Sequence, residues 1–411
     1  MKKVFITMIK ELGGGAATLT MRMAKWAMSK EFTVNVFTDR VENQHLMDEM
    51  VQDGMTVYVT DYLMYAQIFD TIHEDDATYI IITHTLVEYA QAEKIKSKHS
   101  NVEKTILYVI HPYTLFYGIP GKRSKQLILA LSKFFLRGYV RRIYEEGHIL
   151  FMDEECIQMS QEFLGLEFKD AHNEICRLPM NVNEYTDIEI KSRKKNKPFV
   201  ILTITRFELE MKGYVIGLIK SYKNLMQKYN DIRLIIIGDG NGSDEIKALV
   251  NSLNTECQDS IELIPLLPYK ELDRFFQKAD LYIGMGTTLL DAVNHLIPSI
   301  TIHAYTFDLI ATGFFHVHPN ILSTSEHKID ACDLIEDVIT MNDQEYIDLI
   351  AIQYHAYQEL YDINNVMPKI LGRKISRDNR YKDLGYKFMA VVFIKVRDKV
   401  SRLKWRILSL I

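Results

Sequence analysis

Arg206 ends an apolar, β-branched run (FVILTITR), and Lys212-Gly213 opens the helical stretch that follows. A second run closes in Gly238-Asp239-Gly240. A third, LYIGMG, leads into Gly286-Thr287-Thr288 and a helical stretch carrying Asp291. Small residues at a strand-to-helix turn let backbone N–H groups approach an anion closely, and the helix dipole favours negative charge there. Cations fixed beside a diphosphate promote its departure, because its charge grows as the bond to it breaks. The pattern describes a site that holds a diphosphate with two cations and no metal. It points to an enzyme acting on a nucleotide sugar.

Each residue also has a plainer reading. Arg206 and Lys212, taken alone, are ordinary surface charges, and Arg-x5-Lys-Gly is a loose motif. Their position at a strand end, followed by two glycine-rich strand ends, favours the diphosphate reading. Thr287 and Thr288 suit an N-cap, and their hydroxyls can also donate to phosphate. Asp291, one turn into its helix, either accepts hydrogen bonds from ribose hydroxyls or simply complements the helix N-terminus. Position alone leaves both open.

Gly13-Gly14-Gly15 follows the first strand run and precedes a helical stretch, so a loop there can pass close to a ligand. The rival reading is a dinucleotide fingerprint with Asp39 as ribose acceptor. The motif is G-x-G-x-x-T, with its last small residue misplaced, which disfavours a dehydrogenase. His111, after TILYVI, suits a contact with the transferred sugar or its acceptor. His84 ends the run TYIIIT in the same way. A strand-end histidine is also often only a hydrogen-bonded core group.

These residues need a frame. The runs KVFITMI, VNVFT, TVYVT, TYIIIT, TILYVI and HILFM alternate with helical stretches, and so do FVILTIT, RLIIIG, IELIPL, LYIGM and SITIHA. Such continuously apolar strands belong to parallel sheets covered by helices on both faces. The expected fold is α/β, with two Rossmann-like doubly wound domains facing a cleft that takes ligand at the strands' carboxyl ends. Residues 1–185 form the expected acceptor domain, the polar segment 186–198 a linker, 199–372 the donor domain, and 373–411 a basic extension.

The chain has 411 residues, net charge −5 and 47% hydrophobic content, which suits two soluble-type domains with large cores. From Arg373 onward 12 Lys/Arg face 3 Asp/Glu, so this tail carries +9 and the remainder −14. Within it Phe388, Val392, Val396, Val400, Leu403, Ile407 and Leu410 recur at helical spacing among Lys and Arg, as in a basic amphipathic helix. Residues 120–147 repeat the pattern with Arg137, Arg141 and Arg142 among others; the plainer reading is a solvated helix with a core face. An anionic membrane surface is the expected partner of both elements, and no nucleic acid is expected. The four cysteines form no CxxC pair and fit a reducing compartment without structural zinc or disulfides. The N-terminus is no secretory signal, and no run reaches the roughly 20 apolar residues of a membrane span. Localisation is expected to be cytoplasmic, peripheral at the inner face of the cell membrane.

The GGG loop, TILYVIH, CRLPMNVNEY, TRFELEMKGY, LIIIGDGNG and ADLYIGMGTTLLDAVNHLIPSI, in this order and spacing, resemble a family 4 glycosyltransferase of the GT-B type. The resemblance covers most of residues 2–370. It implies a retaining, metal-independent transferase without a cofactor, whose nucleotide sugar is a substrate. Carried over, Arg206 and Lys212 hold the donor diphosphate, Gly14 and Gly15 approach it from the first domain, and Gly286, Thr287 and Thr288 complete the donor site. Asp291 matches the second acid of the family's Glu-x7-Glu motif, which holds ribose, and His111 matches the histidine near the transferred sugar. Catalysis would rest on His111, Arg206 and Lys212. Three departures stand out: Ile283 replaces the first acid, the second is Asp, and the Arg-to-Lys spacing is one residue longer than usual. The GxGTT variant resembles a subset used in bacterial surface-polysaccharide assembly. The expected function is transfer of one sugar, from a UDP-linked donor, to a lipid-linked or polysaccharide acceptor. A catalytically silent partner of the same fold, or a sugar-nucleotide epimerase, are the alternatives.

Overall fold

The computed structural model describes residues 2–112, 114–115 and 126–375, the side chains of 126–135 and 173 excepted. Residues 376–411 of the basic tail and residues 120–125 lie outside the described residues. The chain divides into two compact units: one runs to Met180 and resumes at Ile363, the other is Asn181–Asp362.

The first unit is built on a six-stranded parallel sheet of β1 (Lys2–Leu12), β2 (Thr33–Val41), β3 (Thr56–Val59), β4 (Ala77–Thr83), β5 (Val102–Val109) and β6 (Ile149–Phe151). Its order is β3-β2-β1-β4-β5-β6, so the winding reverses between β1 and β4. Alternate side chains pack to opposite faces. Val4, Ile6 and Met8 meet Phe37, Tyr65 and Phe69 in one core, while Leu107 and Val109 meet Leu136, Tyr139 and Ile143 in another. Burial of both faces is what the unbroken apolar runs demand.

The second unit holds β7 (Phe199–Ile204), β8 (Ile232–Ile237), β9 (Ile261–Ile264), β10 (Leu281–Gly284), β11 (Ser299–Ile302), β12 (Ile310–Phe314) and β13 (Ile329–Asp330). Their order is β13-β12-β11-β10-β7-β8-β9, with β7 to β11 parallel and β12 and β13 antiparallel at one edge. The winding reverses between β7 and β10. Both units are therefore Rossmann-like, as expected from the alternation of runs, and β12 and β13 are additions.

Three expectations need correction. Residues 186–198 are no free linker: Thr186 and Glu189 form a capping box on the helix Asp187–Lys191, and Asn196 N donates to Asp280 at 2.8 Å. Lys195 Nζ donates to the Ile339 carbonyl at 2.9 Å and to that of Met341, closing the end of the helix Ala331–Thr340. The helix Ile363–Gly372 belongs to the first unit rather than the second. Ile363 N donates to the Met180 carbonyl at 2.8 Å, and Trp26 Nε1 donates to Asn364 at 3.2 Å. Finally, Arg142 is not part of an outward basic face. It pairs inward with Glu93 at 2.8 Å and with Glu146 at 3.0 Å. Burial opposes its charge, yet these carboxylates more than offset that and raise its pKa.

Candidate functional site

Arg206 lies just past β7 and the turn Gly284–Thr288 just past β10, so they flank the crevice at which the second sheet's winding reverses. Open α/β sheets bind their ligands at such crevices. The two sides are tied together. Thr288 Oγ1 donates to the Ile204 carbonyl at 3.2 Å and accepts from the Tyr282 hydroxyl at 2.6 Å. Arg206 is exposed, with Glu208 3.5 Å away. Lys212, at the end of the helix Leu209–Lys212, is half-buried. Burial lowers its pKa, and the nearby Arg206 lowers it further, against the opposing pull of Glu208. An anion placed beside the two cations would favour the charged form of Lys212.

Gly286 bends the chain at φ 71°, a conformation that a side chain resists, and its N–H donates to the Leu322 carbonyl at 2.8 Å. The helix Thr287–Asn294 then starts with no side-chain cap and no acid in its first turn. The helices Gly14–Ser29 and Tyr214–Lys228 also follow glycines and share both features. By contrast, Asn43, Thr85, Asp153, Asn254, Asp330 and Asn342 cap other helices with their side chains. Uncapped N–H groups at the glycine-led helices are left for an external acceptor.

The threonines do not act as the expected caps. Gly286 holds the N-cap position, Thr288 is committed to β7, and the Thr287 hydroxyl has no protein partner among the described residues. The Gly238-Asp239-Gly240 turn plays a different part from the one expected. A Cβ on Gly238 would stand 1.9 Å from the Thr205 carbonyl, and Phe207 N donates to the Asp239 carbonyl at 2.8 Å. These glycines let the end of β8 brace the loop that carries Arg206.

Asp291 is almost wholly buried and accepts a hydrogen bond from the Tyr269 hydroxyl at 2.8 Å. Its carbonyl faces His295 Nδ1 at 2.7 Å, and that ring stacks on Phe276 with centroids 4.7 Å apart. Tyr269 and His295 escaped the sequence reading. Tyr269 sits in an exposed turn (PYKEL) that shows no periodicity, and nothing in the sequence joins it to Asp291.

In the first unit Gly14 opens a helix directly, at φ 67°, so Gly13-Gly14-Gly15 is the start of a helix rather than a loop. His111 lies two residues past β5 and is exposed, and partial burial lowers its pKa. His84 is buried, with Nδ1 3.4 Å from the Tyr108 carbonyl and no partner at Nε2. Burial depresses its pKa to about 4, so it is a neutral core group, as its plainer reading held. Gly14, Gly15, His84 and His111 all belong to the first unit. Arg206, Lys212, Gly286, Thr287, Thr288 and Asp291 all belong to the second. Among the described residues no group of three or more His, Cys, Asp or Glu side chains could hold a metal ion.

Residues 184–336, most of the second unit, match the family model described as glycosyl transferases group 1. Over that segment the chain is similar to the group 1 glycosyltransferases. It is 29% identical over 242 residues, 56% of its length, to an uncharacterized glycosyltransferase of Methanocaldococcus jannaschii. That match spans 54%, about half, of the relative's length. Among solved structures, a glycosyltransferase from Rickettsia africae superposes with a TM-score of 0.62 at 13% identity, over 90% of this chain and 98% of that one. The Anabaena protein HepE, in complex with UDP and glucose, superposes with a TM-score of 0.59 at 11% identity, over 90% and 99%. At such identities the structures show the fold, which is GT-B. Ile283, where the sequence resemblance expected an acid, is fully buried in β10.

Proposed function

We propose that this protein is a glycosyltransferase that moves one sugar from a UDP-linked donor to a lipid-linked or polysaccharide acceptor, with retention of anomeric configuration. Support comes above all from Arg206 and Lys212 at the switch point, beside the uncapped helix Thr287–Asn294. In this reading the bond between the sugar's anomeric carbon and the diphosphate oxygen breaks while the acceptor oxygen bonds to the same face. The departing diphosphate, held by the two cations, takes the acceptor's proton, so no protein nucleophile is required. Asp291 would hold the ribose, and Gly14, Gly15 and His111 would serve from the first unit. The proposed setting is surface-glycan synthesis at the inner face of the membrane, with the basic tail as attachment. Among the described residues no helix is long and apolar enough to cross a membrane.

Purified protein given UDP-hexoses and lipid-linked acceptor should release UDP, and Arg206→Ala should abolish most of that release. Near-wild-type transfer by this variant would overturn the assignment. Deleting residues 380–411 should move the protein from the membrane to the soluble fraction while nucleotide binding persists. A second reading, a silent partner that binds glycan without transfer, draws on the buried Ile283. It predicts nucleotide or glycan binding with no UDP release from any donor.

A further inference from the structure

Tyr305 and Phe307, beyond the carboxyl end of β11, are large aromatic side chains left 57% and 51% exposed. Tyr305 has φ 59°, a left-handed conformation that is costly for a bulky residue and persists only where its surroundings enforce it. The enforcement is visible. Tyr305 N donates to the Met211 carbonyl at 2.8 Å, and Ala304 N donates to Thr324 Oγ1 at 3.0 Å. The loop also presses on the helix start that follows Lys212. A Cβ on Gly213 would stand 2.8 Å from the Thr306 carbonyl and 2.9 Å from the Phe307 ring, and one on Gly217 would stand 2.7 Å from the Phe307 carbonyl. Two glycines and a strained backbone thus seat a pair of exposed aromatic rings against the segment that carries Lys212. Exposed aromatic surface fixed this firmly marks a binding surface rather than loose packing.

The strand order says which part of a ligand would meet it. Across the parallel part of the sheet the order is β11-β10-β7-β8-β9. Asp291 follows β10 and bonds to Tyr269 beyond β9, Arg206 follows β7, and the aromatic loop beyond β11 bonds to Met211, next to Lys212. A nucleotide sugar with its ribose at Asp291 and its diphosphate at Arg206 and Lys212 would therefore have its hexose within reach of this loop. We infer that Tyr305 and Phe307 form an aromatic wall for the transferred hexose of the donor, presenting ring faces to the sugar's C–H surface. This rests on the donor reading above, and it supplies contacts to the sugar where Ile283 has replaced an acid.

The test uses the full chain and its affinities for UDP, GDP and their glucose, galactose and N-acetylglucosamine derivatives, measured by calorimetry. Tyr305→Gly removes the ring while suiting the positive φ, and Phe307→Leu keeps apolar bulk, so both variants should fold. Expected is unchanged affinity for the nucleoside diphosphate, with the preference for the favoured nucleotide hexose over that diphosphate reduced about five- to tenfold. Tyr305→Phe should keep the preference. The inference is overturned if both variants retain the wild-type ratio, if diphosphate affinity falls in parallel, or if only the acceptor KM changes. It is also overturned if wild type prefers no nucleotide hexose over its diphosphate. A wild-type chain that binds neither UDP nor GDP sinks the donor reading itself, a result distinct from all of these.

Discussion

The Tyr269 hydroxyl donates to an Asp291 carboxylate oxygen at 2.8 Å, across the carboxyl ends of β9 and β10. Tyr269 is itself half-exposed, while Asp291 beneath it is nearly inaccessible. An aspartate is one methylene shorter than a glutamate, and the tyrosine fixes the orientation of this short acid. If Asp291 accepts from ribose hydroxyls, wild type should bind UDP more tightly than 2′-deoxy-UDP, and Asp291→Asn should erase most of that difference. Tyr269→Phe should raise the donor KM several-fold, by the roughly 1–2 kcal/mol that such a hydrogen bond contributes, with little change in kcat. Equal affinity of wild type for the two nucleotides would remove ribose from Asp291.

The paired cations make a separate prediction. Arg206→Ala should lower kcat about 10²-fold or more, the size expected when a charge-stabilising donor is lost. Lys212 has its pKa lowered, by burial and then by Arg206. Its charge is therefore lost earlier than that of an ordinary lysine as pH rises, and kcat/KM should decline on the alkaline side accordingly. Lys212→Arg, which stays charged, should push that limb to higher pH. A pH profile identical in the two proteins would mean that Lys212 does not govern it.

The frame of the site was legible in the sequence because its strands are buried on both faces, and runs such as RLIIIG have no polar face to disguise them. What the sequence hid was long-range. IATGF, which forms β12, is short, holds a glycine, and gains its strand character only from pairing with β11. Lys195 fell within a segment read as a linker because nothing local shows that the carbonyls of Ile339 and Met341 end beside it. The helix Ile363–Gly372 read as the end of the second domain by continuity, yet Asn364 bonds to Trp26, far away in sequence. The roles of Thr287 and Thr288 were interchangeable in sequence and differ only once β7 is beside them.

That difference is testable. Thr288→Val removes hydrogen bonds to the Ile204 carbonyl and the Tyr282 hydroxyl, leaving both without this partner. It should cost about 1–3 kcal/mol in urea unfolding. Thr287→Val removes no bond within the described protein and should leave the unfolding midpoint in place while weakening UDP binding. Equal stability losses in the two variants would mean that Thr288 does not pin its helix to β7.

Glu88 gives the first unit an unusual response to pH. One of its carboxylate oxygens accepts from the backbone N–H groups of His84 and Thr85, each at 3.0 Å, while the other is buried without a partner. Burial raises its pKa to about 8, and the two N–H donors only partly oppose this. An acid whose folded pKa exceeds its unfolded value stays protonated in the native state when the unfolded chain has already released its proton. Its contribution is complete below the unfolded value of 4.5 and is lost progressively as pH rises through about 8. His84 works in the opposite sense: its pKa is depressed from 6.5 to about 4, so stability is lost as pH falls through that range. Glu88→Gln keeps an acceptor for the two N–H groups and carries no charge at any pH. It should be more stable than wild type at pH 8 by about 4 kcal/mol, and by only about 1 kcal/mol at pH 5. Urea midpoints for both proteins across this range would show the gap widening with pH, and a constant gap would place the ionised carboxylate in contact with water instead.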